Sequence, residues 1–169
     1  MLEKSINTTG ARHIKVVNDG SLQNRIHDIS DSIAQRAYQI FESDGRPEGH
    51  EMEHWFRAQE DLLHPSHALV EESADSVAVR AEVPGFRADE LEVSLEPRRV
   101  TITGKRESEH EHKHGKVVYT DRCANQIYRV LDLPVEVDVS RANAVLEDGL
   151  LELDMPKANA APKSKAASA

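Results

Sequence analysis

His110, His112 and His114 alternate with Glu109, Glu111 and Lys113. On an extended chain the imidazoles share one face, a spacing that could chelate Zn²⁺ or Cu²⁺. No cysteine accompanies them and nothing in the sequence supplies a fixed outer shell, so the expected state is a solvated charged loop with no metal and no cofactor. The same histidines titrate near neutrality and would make that loop sensitive to pH. Cys123 is the only cysteine, which excludes an intrachain disulfide, and no flanking motif activates its thiol. His54 beside Trp55 reads as a capping or packing histidine. No nucleophile, base and orienting group recur at a catalytic spacing, and no glycine loop suits a phosphate. An enzyme is not expected.

The chain has 169 residues, a formal charge of −9 at pH 7, 38% hydrophobic and 30% charged residues. That length suits one ordinary domain with an appendage, and the polarity implies that part of it is loose. The acidic balance argues against a nucleic-acid binder. No apolar run approaches a membrane span, and the N-terminus lacks the apolar core of a secretory signal. A cytoplasmic protein is the expectation.

The elements follow from periodicity. Residues 1–20 show no sustained period and are expected to form a flexible arm, within which His13-Ile14-Lys15-Val16-Val17 is a candidate for a short strand or a partner-binding segment. Ile26, Ile29, Ile33, Ala37, Ile40 and Phe41 make one helical stripe. Met52, Trp55, Phe56, Gln59, Leu62 and Leu63 make a second. With Gly45 and Pro47 between them, residues 21–65 read as a helical hairpin. From residue 66 the period becomes two. Val77, Val79, Ala81 and Val83 form one run, Leu91, Val93 and Leu95 a second, Val100, Ile102 and Gly104 a third. Val117-Val118-Tyr119 and Ile127–Leu133 follow. Asp148-Gly149 between apolar runs signals a type I′ hairpin, with Glu147 facing Leu150, Leu146 facing Leu151, Val145 facing Glu152 and Ala144 facing Leu153. One face of that hairpin, from Ala142 to Met155, is apolar and must be covered. The fold class is mainly β: an immunoglobulin-like antiparallel β-sandwich over residues 66–157, preceded by the α-helical hairpin and followed by a flexible tail, 158–169.

Two stretches carry resemblances. Arg36-Ala37-Tyr38, Gly45-Arg46-Pro47-Glu48-Gly49 and Glu53-His54-Trp55 resemble a short bacterial domain of unknown function. Ala81-Glu82-Val83-Pro84-Gly85-Phe86, Leu91-Glu92-Val93, Ile102-Thr103-Gly104-Lys105-Arg106, Tyr119-Thr120-Asp121-Arg122 and Ile127–Pro134 resemble successive strands of the α-crystallin domain of small heat-shock proteins. Ala144 to Gly149 and the strand ending at Pro156-Lys157 match that family's signature.

The resemblance implies an ATP-independent holdase chaperone of the stress response, binding unfolded client proteins through apolar surface and preventing aggregation. It implies a client or peptide groove lined by Val93, Leu95, Ala144 and Leu146. It also implies a homodimer. Val117, Val118 and Tyr119 would form a swapped strand received by residues 67–71 of the partner, with Arg129 at the interface. Members that build large assemblies carry Ile-x-Ile or Ile-x-Val in the C-terminal tail, and this tail has neither isoleucine nor valine. A dimer or small homo-oligomer joined through the N-terminal helices is therefore expected. The alternative is a dimeric scaffold or adaptor whose helical hairpin binds one specific protein partner. A metal-binding protein using the histidine loop is a further rival.

Overall fold

A computed structural model describes residues 12–14, 16–17, 21–106 and 126–160. In chain order the elements are β1 (Arg12–His13), β2 (Val16–Val17), α1 (Ser21–Ser43), α2 (Glu51–Leu62), β3 (Ala68–Glu72), β4 (Ser76–Glu82), β5 (Leu91–Glu96), β6 (Arg99–Lys105), β7 (Gln126–Asp132), β8 (Asn143–Glu147) and β9 (Leu150–Pro156). They form a five-stranded sheet, order β1-β8-β9-β4-β3, and a four-stranded sheet, order β2-β5-β6-β7. All pairings are antiparallel except β2 with β5.

Period-two alternation places the core between the sheets. Val77, Val79, Ala81, Leu151, Leu153 and Met155 face it from one sheet, Leu91, Val93, Leu95, Val100, Ile102 and Ile127 from the other. The Asp148-Gly149 turn has φ of 48° and 77°, both positive as a type I′ turn requires. Its register is Ala144↔Leu153, Val145↔Glu152, Leu146↔Leu151 and Glu147↔Leu150.

The helices form a hairpin around Ile33, Ile40 and Ala58. Gly45 ends α1 at φ 87°, with the Arg46 amide donating to the Phe41 carbonyl and the Gly45 amide to that of Glu42. The buried face of α2 differs from the expected stripe. His54 and Ala58 are buried with Trp55 and Leu62 beside them, whereas Met52 and Phe56 are 64% and 55% exposed. Side-chain size misleads here: the smaller Ala58 lets the helices approach closely, and His54 packs edge-on to Phe41. Arg36 bridges the helices through two bonds to Asp61 Oδ2, at 2.9 and 2.6 Å.

The hairpin rests on the sandwich. Ser21 and Arg25 both reach Glu92, and the His64 amide donates to the Gln126 carbonyl. Ser94, Thr101 and Thr103 are buried although they point away from the apolar core.

Residues 1–20 are not wholly a free arm. Ile14 and Val17 are 6% exposed, and residues 12–13 and 16–17 pair with the two sheets. The physical reason is the exposed apolar edge that these side chains cover. The histidines at 110, 112 and 114, the strand at 117–119 and Cys123 lie outside the described residues.

Candidate peptide-binding slot

The slot lies between β5 and β8, which belong to opposite sheets. Leu91, Val93 and Leu95 point inward because they alternate with Glu92 and Ser94; Ala144 and Leu146 do the same on β8. Val93 and Leu95 are at most 1% exposed, Ala144 is 2% and Leu146 is 7% exposed. The structure thus gathers the four expected groove residues into one apolar cluster, and they form no open surface. Ile14 belongs to the same cluster, and Val16 packs against it.

The cover is made by an extended segment that crosses from one sheet to the other. Arg12 lies opposite Leu146 and His13 opposite Val145; the Ile14 amide donates to the Ala144 carbonyl at 3.0 Å. Four residues after Arg12, Val16 lies opposite Val93 and Val17 opposite Ser94. The segment completes both sheets where β5 and β8 would otherwise be edges with unpaired backbone groups. A cleft of about 710 Å³ adjoins Val16 and Val17, walled by Pro97, Val137, Val139 and Ala142 together with the polar Glu136 and Ser140. Asp138 also lines it. Its carboxyl is held below the usual value by the Ser140 hydroxyl and then by Arg141.

Ile14 and Val16 were missed as slot residues because two-residue strands give no period. Ile14-Lys15-Val16 nevertheless has the Ile-x-Val spacing that the C-terminal tail lacks.

The expected dimer elements are only partly described. β3 is the outer strand of its sheet, with Leu69 54% exposed. Arg129 is exposed opposite Ile102 on β7, an outer strand of the other sheet. Its position along the strand matches buried Ile127, and no carboxylate pairs with it among the described residues.

The two packed sheets, mostly antiparallel and preceded by two helices, have the fold of a small-heat-shock-type domain. Residues 69–168 match the Hsp20/alpha crystallin family, and the chain belongs to that family. Residues 30–63 match a protein of unknown function, DUF2934. Heat shock protein 16 of Schizosaccharomyces pombe is 29% identical over 90 residues, covering 52% of this chain and 63% of its own. The 16.9 kDa class I heat shock protein 1 of Oryza sativa subsp. japonica is 34% identical over 88 residues, covering 52% and 59%. The match thus spans less than two thirds of either relative. The solved structure of heat shock protein 16.0 from Schizosaccharomyces pombe superposes with a TM-score of 0.50 at 26% identity, covering 60% of this chain and 94% of that one.

Proposed function

We propose that this chain is an ATP-independent holdase: it binds extended apolar segments of partly unfolded clients at the slot lined by Val93, Leu95, Ala144 and Leu146. The observation that carries this reading is the slot's occupancy by an extended apolar segment, with Ile14 in the core and backbone pairing to both sheets. An unfolding protein presents the same two features, exposed apolar side chains and unpaired backbone. Burial at roughly 25 cal/mol per Å² and strand addition need no nucleotide. The cytoplasm suits this role. A homodimer would form by residues 117–119 joining the partner's β3, with Arg129 at the contact.

The test is light scattering by a heat-labile client. Suppression at near-stoichiometric ratios is expected; full aggregation at molar excess would overturn the reading. The adaptor reading has its own observation, because Tyr38, Met52 and Phe56 are all more than half exposed on the helical hairpin. A full-length Tyr38→Ser/Phe56→Ser variant separates the two. A slot-based holdase keeps its suppression; an adaptor has none to lose and loses its partner instead.

A further inference from the structure

The helix α2 is apolar on two sides. His54 and Ala58 are buried in the helical hairpin, whereas Met52 and Phe56, one turn apart on the side away from them, are 64% and 55% exposed. Gln59 continues that row and is exposed as well. Exposed carboxylates border it, Glu51 on one flank, Glu53 and Glu60 on the other. Residues 21–65 hold nine carboxylates, four arginines and no lysine. Every one of those arginines is engaged: Arg25 with Glu92, Arg36 with Asp61, Arg46 with Glu42 and Arg57 with Asp44, at 2.6–3.0 Å. The backbone amides of Glu51 and Gly49 hold the Glu51 carboxyl below its usual value, and His50 does the same for Glu53, so both stay ionised. Glu60 stands in the last turn, where the helix dipole disfavours an anion, and no cation pairs with it among the described residues.

We propose that this face of α2 docks an amphipathic helix of a partner protein, with its apolar stripe seated on Met52 and Phe56 and its lysines or arginines facing Glu53 and Glu60. The proposal rests on the adaptor reading of the hairpin and deepens it; it does not need the holdase reading. A helix face suits a helix and not a strand, because the backbone groups of α2 are satisfied within it and only side-chain ridges are on offer. The partner's charge follows from the surplus carboxylates, which the hairpin's own arginines leave without a cation. A second copy of the chain is the wrong occupant. Antiparallel two-fold pairing of this face would set Glu53 of each copy beside Glu60 of the other, and like charges in contact are costly. A membrane surface is excluded for the same reason, since anionic headgroups repel these carboxylates. Two large apolar side chains make a small contact, so the complex is a transient one.

Met52 and Met155 are paired reporters, the first 64% exposed on this face and the second 0% exposed in the sandwich core. The test is methionine-methyl NMR of the full chain, titrated with a synthetic helical peptide that has leucines at helical spacing and lysines at the other positions. The same peptide with glutamates, or with glutamines, in place of the lysines is titrated in parallel. The lysine peptide should move the Met52 methyl and leave that of Met155 in place, added salt should weaken the effect, and the glutamate peptide should do nothing. Glu53→Lys/Glu60→Lys, with both changes at exposed positions, should bind the lysine peptide about tenfold more weakly and gain binding of the glutamate peptide. An unmoved Met155 signal shows that this variant is folded. Equal binding of the lysine and glutamate peptides at Met52 overturns the proposal, and that comparison stands without any variant. Equal binding of the lysine and glutamine peptides also overturns it, while leaving the adaptor surface in place. A Met52 shift that grows with protein concentration alone, together with self-association in sedimentation, assigns the face to a second copy and overturns the proposal as well. No Met52 shift with any peptide overturns it and takes this surface from the adaptor reading. Client aggregation is scored separately. Suppression without peptide binding at Met52 removes the docking face and leaves the holdase reading standing; peptide binding without suppression does the reverse.

Discussion

Arg25 Nη2 lies 2.8 Å from Glu92 Oε2, and the same carboxylate accepts from Ser21 Oγ at 2.8 Å, so one side chain of β5 holds the first turns of α1. The Glu92 side chain is 14% exposed and that of Arg25 is 38% exposed. An ion pair of this kind contributes about 1 kcal/mol or less to global stability. Its larger effect is local, because it fixes the anchor of the segment over the slot. In Glu92→Ala, amide exchange at residues 12–17 and 21–25 should accelerate several-fold while the melting temperature changes little. Exchange that stays at the wild-type rate would show that the segment is held without α1.

Gly149 has φ of 77°, and a Cβ added there would lie 3.3 Å from Pro84 Cα, a backbone atom that cannot rotate away. The Gly149 carbonyl also accepts from the Val83 amide at 2.7 Å, tying the turn to the end of β4. Gly149→Ala should therefore cost about 1–3 kcal/mol in urea unfolding. Asp148→Asn should be close to neutral, since asparagine tolerates the left-handed φ of 48° at that position. A neutral alanine would mean that the turn has changed type.

These two sites show what the sequence makes legible and what it hides. The Asp148-Gly149 turn sets the register of β8 on β9 by itself, because few residue pairs accept two positive φ values. The inward residues of β4, β5 and β9 follow from strict alternation. The two-residue strands at Arg12–His13 and Val16–Val17 are too short for any periodicity, and their partners lie about 80 and 130 residues away in sequence. Local pattern carries no information about such pairing. On α2 the pattern pointed to large side chains, Met52 and Phe56, while close helix approach favours the small Ala58. Glu92 has no sequence mark as an anchor; it reads as an ordinary outward residue of an alternating strand.

Asp138 accepts hydrogen bonds from the Ser140 hydroxyl and amide and pairs with Arg141 Nε at 2.7 Å. The Ser140 contact, then Arg141, lowers its carboxyl below the ordinary value of 3.8. A carboxyl lowered in the folded state contributes stability that is fully present above the unfolded value and is lost as pH falls through the lowered folded one. Asp138→Asn should thus melt at a lower temperature than wild type at pH 7, and the gap should narrow as pH falls below 3.8. A gap that is constant from pH 7 to pH 3 would assign the loss to shape and not to charge.

Arg129 is the residue through which the dimer proposal is most exposed to failure. It sits opposite Ile102 on the outer strand β7, shares its parity with buried Ile127, and is exposed in the single chain. An arginine there contributes little to the fold of one chain, because its charge stays in water and it packs on little. At an interface the same side chain is desolvated and needs a partner carboxylate, so truncating it leaves that carboxylate buried and unpaired, at a cost of about 3–5 kcal/mol. The two situations give opposite patterns. If Arg129 lies at a dimer contact, Arg129→Ala should raise the dimer dissociation constant by two orders of magnitude or more in sedimentation equilibrium, at about 1.4 kcal/mol per tenfold. Urea unfolding of the dissociated chain should be unchanged. Arg129→Lys should recover only part of the loss, since an ammonium cannot make the bidentate contact of a guanidinium. Dissociation that is unaffected by Arg129→Ala would remove this residue from the interface and leave the outer strand β3 as the remaining candidate surface.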